Sequence, residues 1–244
     1  MRNSPLTTSI HILDDDSLLN VFHFYRPFLL GEDDENEDFR ILGGIKMWNS
    51  GRWWYKLAHV CQRWRDIVLG SAVYLGVSLV CTNGTAVADM LAHSPPLPLD
   101  IDYQFDEDDD VTAEVEEGAI LALKQYDRVR RVRLMMPVRQ KFILAMDDEY
   151  PILEYLIIVD QDGNKSSTTI FPDTLQAPNL RHLMLTGFTL PIGSRLLTSA
   201  VGLVALGLGM VHPSIYLHPN TLLRWLSFMP QLEIFPSPFQ VSRC

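Results

Sequence analysis

The sequence predicts an α/β fold, a helical N-terminal module followed by an irregular solenoid of short parallel strands and helices. Three observations predict it. Apolar residues recur at three- and four-residue spacing as far as Val68, which is the period of a helix. Beyond residue 70 the rhythm shortens to strand-like runs. Those runs then return at nearly constant intervals, as a stacked repeat requires.

Residues 1–9 are polar and expected to be loose. An amphipathic helix follows over 10–25. Asp14, Asp15 and Asp16 stand at its start, where free backbone N–H groups favour acceptors and negative charge. Leu18, Val21, Phe22 and Tyr25 form its stripe. Between 26 and 51 the pattern lapses. The acidic run 32–38, flanked by Gly31, Gly43 and Gly44, reads as a solvated insertion whose deletion changes little. Helical spacing resumes with Trp53, Leu57, Val60, Cys61, Trp64, Ile67 and Val68 on one face, and Gly70-Ser71 stops it. Cys61 reads there as a small buried hydrophobe. These helices carry more apolar surface than so small a module can hide, so a partner is expected to shelter part of it.

The later runs place apolar residues at a first position and again three and five later. They open at Val129, Leu153, Leu180 and Leu203, with a degenerate copy at Leu232 and Phe235. The intervals are 24, 27, 23 and 29 residues, within the roughly 20–29 of leucine-rich repeats and their LxxLxL core. Pro151, Pro178 and Pro230 each fall two residues before the opening leucine, where proline ends a helix and begins an extended segment. Short return helices are expected over 140–146, 194–199 and 221–228. Leu75-Gly76-Val77-Ser78-Leu79 and Leu97-Pro98-Leu99-Asp100-Ile101 read as two earlier strands joined by a helix over 86–92. The chain thus divides into a loose 1–9, a helical module over 10–76 and a leucine-rich-repeat-like region over 77–244. The helical module would cap one end of the solenoid, and the other end is expected to be bare.

With 47% hydrophobic residues and mean hydropathy +0.06, the 244-residue chain has the material for a sizeable core. Nowhere does it approach the ~18 consecutive apolar residues of a membrane span, and no secretory signal opens it. Three scattered cysteines without a CxxC make neither a disulfide framework nor a zinc site. Cytoplasm or nucleus is the expected compartment. The net charge is −10, with the acidic excess in the first half, which argues against nucleic acid as a partner. The one basic run, Arg128 to Arg133, alternates with valine and reads as a strand with its arginines on the wet side.

No catalytic motif is present: no GxSxG, phosphate-binding loop, GxGxxG, HExxH or kinase signature. The seven histidines show no metal spacing, and the carboxylates over 106–110 lack the alternation and glycine of a calcium loop. No catalytic, cofactor or metal residue is expected, and the chain reads as a non-enzyme.

Two segments resemble the F-box family, notably the fungal F-box-like proteins. The first is Leu13-Asp14-Asp15-Asp16-Ser17-Leu18-Leu19-Asn20-Val21-Phe22, with Asp14 where the family has proline. The second is Val60-Cys61-Gln62-Arg63-Trp64-Arg65, followed by Ile67, which matches the family's Val-Cys-x-x-Trp-Arg. The gap between them is longer than a minimal F-box allows, so residues 26–51 would loop out. The resemblance covers roughly residues 10–76. It implies docking on the Skp-type adaptor of a cullin–RING ubiquitin ligase, with the repeats holding a protein substrate for ubiquitination. The adaptor face it implies is Ile12, Leu13, Leu18, Leu19, Phe22, Val60, Cys61, Trp64 and Ile67. The alternative is a leucine-rich-repeat scaffold with a degenerate F-box and no ubiquitin role.

Overall fold

The computed structural model describes residues 12–26, 53–105, 111–136, 140–160, 169–191, 193–209 and 219–233. The expectations placed on residues 1–9, on the acidic insertion, on the carboxylates 106–110 and on Phe235 lie outside these residues.

Among the described residues, four helices form the front. α1 (Asp15–Tyr25) opens on Asp14, whose carboxylate accepts the Ser17 N–H at 2.7 Å. Extended backbone at Asp14 and two carboxylates in the first turn complete the start that the sequence predicts. The hydrogen bonds from Ser17 hold the Asp14 carboxyl below its ordinary pKa. This cap is therefore present at neutral pH and lost only as pH falls through that lowered value.

The single helix expected from Trp53 is instead two, α2 (Trp53–Ala58) and α3 (Gln62–Gly70), followed by the one-turn α4 (Ala72–Leu75). The chain turns at His59 and Val60, and Cys61 is extended (φ −159°, ψ 171°). Broken there, the helices bury separate faces: Trp54, Leu57 and Ala58 from α2, Val68 from α3. Cys61 occupies the position before α3 and is half-buried, which corrects the buried site expected of it.

Gly76 closes α4 in the left-handed region at φ 64°. A Cβ there would also lie 3.0 Å from Arg26 Nη2. Gly76→Ala is therefore expected to lower stability by about 1–2 kcal/mol, the usual cost of left-handed backbone at a residue with a Cβ. A shift of the urea midpoint at constant slope checks this.

Beyond Gly76 the chain is α/β, with a six-stranded parallel sheet. Its strands, β1 (Leu79–Cys81), β2 (Leu99–Gln104), β3 (Val129–Met136), β4 (Tyr155–Asp160), β6 (His182–Thr186) and β8 (Ala205–Gly209), lie side by side in chain order. β5 (Thr169–Ile170) and β7 (Phe188–Thr189) form a separate parallel pair. The connecting helices are α5 (Val87–His93), α6 (Ala113–Leu123), α7 (Gln140–Leu144) and α8 (Arg195–Ser199), and α9 (Pro219–Leu226) follows β8. No helix among the described residues is long and apolar enough to cross a membrane.

Each of the last four runs opens with the same turn. Leu153, Leu180, Leu203 and Leu232 donate their N–H groups to the carbonyls of Tyr150, Ala177, Ala200 and Met229, three residues back. Pro151, Pro178 and Pro230 thus stand at the second position of a four-residue turn, where their fixed φ is already correct. The next residue of each run extends the ladder. Glu154, Arg181, Val204 and Glu233 donate to the carbonyls of Arg130, Glu154, Arg181 and Val204 at 2.8–2.9 Å. The copy at Leu232 therefore makes the equivalent bond, to the residue before β8.

Register assigns the two faces. Ile101, Tyr103, Val132, Leu134, Leu156, Ile158, Leu183, Leu185 and Leu206 project to one side and are buried. They form one continuous core with Ala119, Ala122 and Leu123 of α6, Phe142 and Ile143 of α7, and Leu196 and Leu197 of α8. Leu18 and Phe22 of α1 and Trp54 of α2 belong to the same core, and the Trp54 indole N–H donates to the Ser78 carbonyl at 3.1 Å. The helical front and the sheet are one hydrophobic unit.

The opposite face corrects the reading of the basic run. Arg131 and Arg133 are 7% and 5% exposed, not on a wet side. Parallel register sets Asp100 beside Arg131 and Asp102 beside Arg133, so each guanidinium is neutralised by its strand neighbour and can be buried.

Candidate partner-binding surfaces

The nine residues expected at the adaptor face separate into two groups. Leu18 and Phe22 have no exposure, and the Phe22 ring lies 4.8 Å from that of Trp64. They are core, which corrects their assignment to a docking face: the α1 stripe they form is turned inward. Ile12, Leu13 and Val60 are exposed at 76%, 38% and 58%, and Leu19, Cys61, Trp64 and Ile67 are half-buried.

Arg63 gathers this second group. Its Nε donates to Asp15 Oδ1 at 2.8 Å and its Nη2 to the Leu13 carbonyl at 2.6 Å. The start of α1 is thereby tied to the start of α3, which brings Ile12 and Leu13 to the end of the module where Val60 and Cys61 lie. Between the helices runs a groove of about 630 Å³, with Leu19 and Ile67 among its lining and Asp15, Asp16 and Asp66 at its polar edge. Half of the large apolar side chains left exposed among the described residues lie between Ile12 and Tyr74. Phe24 at 80% and Val73 at 86% are the most open of them. Apolar exposure of that density on a short helical segment is what a protein interface presents.

The second candidate is the sheet face away from the helices, in which Asp100, Asp102, Arg131, Arg133, Ile157 and Ala205 are buried. Register sets three rows across it. The first runs Val80, Asp100, Arg131, Tyr155, His182, Ala205. Asp102, Arg133, Ile157, Met184 and Gly207 make the second, and Gln104, Met135, Val159, Thr186 and Gly209 the third. Asp102 and Arg133 form a two-point ion pair, Nε to Oδ1 at 2.7 Å and Nη2 to Oδ2 at 2.6 Å. Asp100 accepts from the Ser78 hydroxyl and from Arg131, and Arg130 Nη2 stands 3.6 Å from the same oxygen. Tyr155 and His182 stack with centroids 4.4 Å apart and planes 4° from parallel. Burial, followed by the Arg181 charge, holds the His182 imidazole below its usual pKa, so the ring is neutral at pH 7.

The sequence reading missed these pairs, although their signal was present. Asp100 and Asp102 alternate on one run and Arg131 and Arg133 on the next, the spacing that sets opposite charges side by side on one face of a parallel sheet. Chemistry elsewhere is sparse. The buried Cys81 thiol is pushed up to about 12 by desolvation and then by Asp100, so it is not a nucleophile at neutral pH. Among the described residues no three His, Cys, Asp or Glu side chains converge as a metal set.

Compared with protein-family models, with curated proteins and with solved structures, the chain matches none.

Proposed function

We propose that this chain is a substrate-recognition adaptor of the F-box kind. Its helical front docks on the Skp-type subunit of a cullin–RING ubiquitin ligase, and its leucine-rich-repeat-like sheet face holds the protein to be ubiquitinated. The observation that carries the reading is the exposed apolar set Ile12, Leu13 and Val60 beside half-buried Leu19, Cys61, Trp64 and Ile67. These positions lie in the two segments that resemble an F-box, and the described residues leave them open or half-open. Asp14 supports it further: where the resemblance expects proline, the carboxylate caps α1, so the motif's helix begins without the imino ring. Strands in chain order, entered through a recurring turn, support the repeat half. Catalysis on this reading is proximity, the tether raising local substrate concentration to the millimolar range for a short linker.

The test is affinity of the full chain for a purified Skp-type adaptor by calorimetry. Ile12→Glu with Val60→Glu is expected to weaken binding by about 30-fold or more, two interface anchors at about 1–2 kcal/mol each. The melting temperature should stay unchanged, because both side chains are already in water. Wild-type protein that fails to bind, or a double variant that binds equally well, contradicts the proposal.

One observation favours a second reading, a repeat scaffold with no ubiquitin role. Enclosure of Leu18 and Phe22 removes two of the nine expected docking residues from the face. A wild-type chain that folds and captures other proteins without binding the Skp-type adaptor selects the scaffold.

A further inference from the structure

We infer that the edge of the sheet face beside Gly76 seats an acidic segment of a partner protein, its carboxylates against Arg26 and Arg130. The inference gives a chemical class to the substrate in the proposed function and rests on that reading.

The argument is one of charge complementarity. The chain carries a net charge of −10, yet three guanidinium groups converge here. Arg26, the residue that ends α1, lies against Gly76, and Arg130 Nη2 donates to the Gly76 carbonyl at 3.3 Å. Arg131 is the third. Among the described residues, Asp100 is already taken by the Ser78 hydroxyl and Arg131, and the Glu154 charge also acts on Arg131, so Arg26 and Arg130 are left with the excess. Arg130 reaches Asp100 only at ion-pair distance, and its Nε has no acceptor among the described residues although it is buried. The charged form of Arg26 is disfavoured by burial and by repulsion from Arg130 and Arg131. A site with those properties gains from an incoming anion, because a carboxylate beside Arg26 and Arg130 offsets their mutual repulsion.

Geometry makes the anion part of a polypeptide. The cluster adjoins the first row of the sheet face at Arg131, which is followed there by the stacked, half-buried rings of Tyr155 and His182. A charged anchor continuing into flat aromatic surface suits an extended acidic segment. Glu154 and Arg181 flank the rings with opposite charges, so the positive excess belongs to the Gly76 end.

The test is selection from a random 12-residue peptide library on the immobilised full chain. Enrichment of Asp and Glu is expected. It should fall at least tenfold in captured yield for Arg26→Gln with Arg130→Gln, and largely return for Arg26→Lys with Arg130→Lys. Binding of a selected peptide, followed by fluorescence anisotropy, should weaken with salt. Its glutamine counterpart should not bind. Captured peptides poor in acid, or equal binding by the glutamine variant while circular dichroism shows it folded, would overturn the inference. Preference for a phosphorylated peptide with no binding of the carboxylate form would overturn it too. Affinity for the Skp-type adaptor, measured in parallel, is expected to be unaffected by either arginine variant. Loss of wild-type adaptor binding with acid selection intact would sink the adaptor reading alone.

Discussion

Replacing Phe22 with alanine is expected to lower the unfolding free energy by about 3–5 kcal/mol, the usual cost of emptying a fully enclosed aromatic site. Phe22 has no exposure, tilts against Trp64 at 4.8 Å and joins the core that continues into the sheet. The loss is therefore expected to reach the whole chain. It should appear as one cooperative urea transition at lower midpoint, with the same shift reported by tryptophan fluorescence and by circular dichroism. Val60→Ala is the control: its side chain stands 58% exposed, and the change should stay within about 0.5 kcal/mol. A Phe22→Ala protein of unchanged stability that had lost adaptor binding would return Phe22 to the docking face.

Asp102→Ala is the second large effect. The Asp102 and Arg133 side chains are 8% and 6% exposed and meet through two hydrogen bonds. Removing one partner of a buried pair leaves a desolvated charge and costs about 3–5 kcal/mol. Removing both charges, as Asp102→Leu with Arg133→Met, should recover most of that loss, because the penalty comes from breaking the buried pair on one side and not from the absence of the pair. Denaturant titration of the three variants checks this. A double variant as unstable as Asp102→Ala would show that the pair holds this part of the sheet by more than mutual neutralisation.

These two sites mark where the sequence was readable. Periodicity placed α1, most strand runs and most return helices, because a single buried face repeats visibly at 3.6 or 2 residues. The strand expected over 75–79 is instead the end of α4, the Gly76 cap and a link to β1, which starts at Leu79. Periodicity also named Phe22 as apolar and helical. It could not say which way that face turned, since core and interface ask for the same side chains. The break at His59–Cys61 was hidden for a related reason: Val60 and Cys61 continue the apolar spacing while the backbone turns, and no proline or glycine marks the place. α6 escaped because it adjoins the carboxylates at 106–110, although Thr112 caps it, accepting the Val115 N–H. Arg131 and Arg133 looked solvated because a lone strand offers charges only water. Their burial depends on Asp100 and Asp102, about thirty residues earlier, arriving in register. Parallel pairing is a non-local fact, and a single run does not contain it.

The central claim is that the open apolar side chains at the ends of α1 and α3 are contacts for a Skp-type adaptor. Backbone hydrogen exchange of the full chain, with and without that adaptor, tests it most directly. Slower exchange is predicted across residues 12–19 and 60–67, with none in β3, β4 and β6. Binding that protects only those strands, or saturating adaptor that protects nothing, would contradict it.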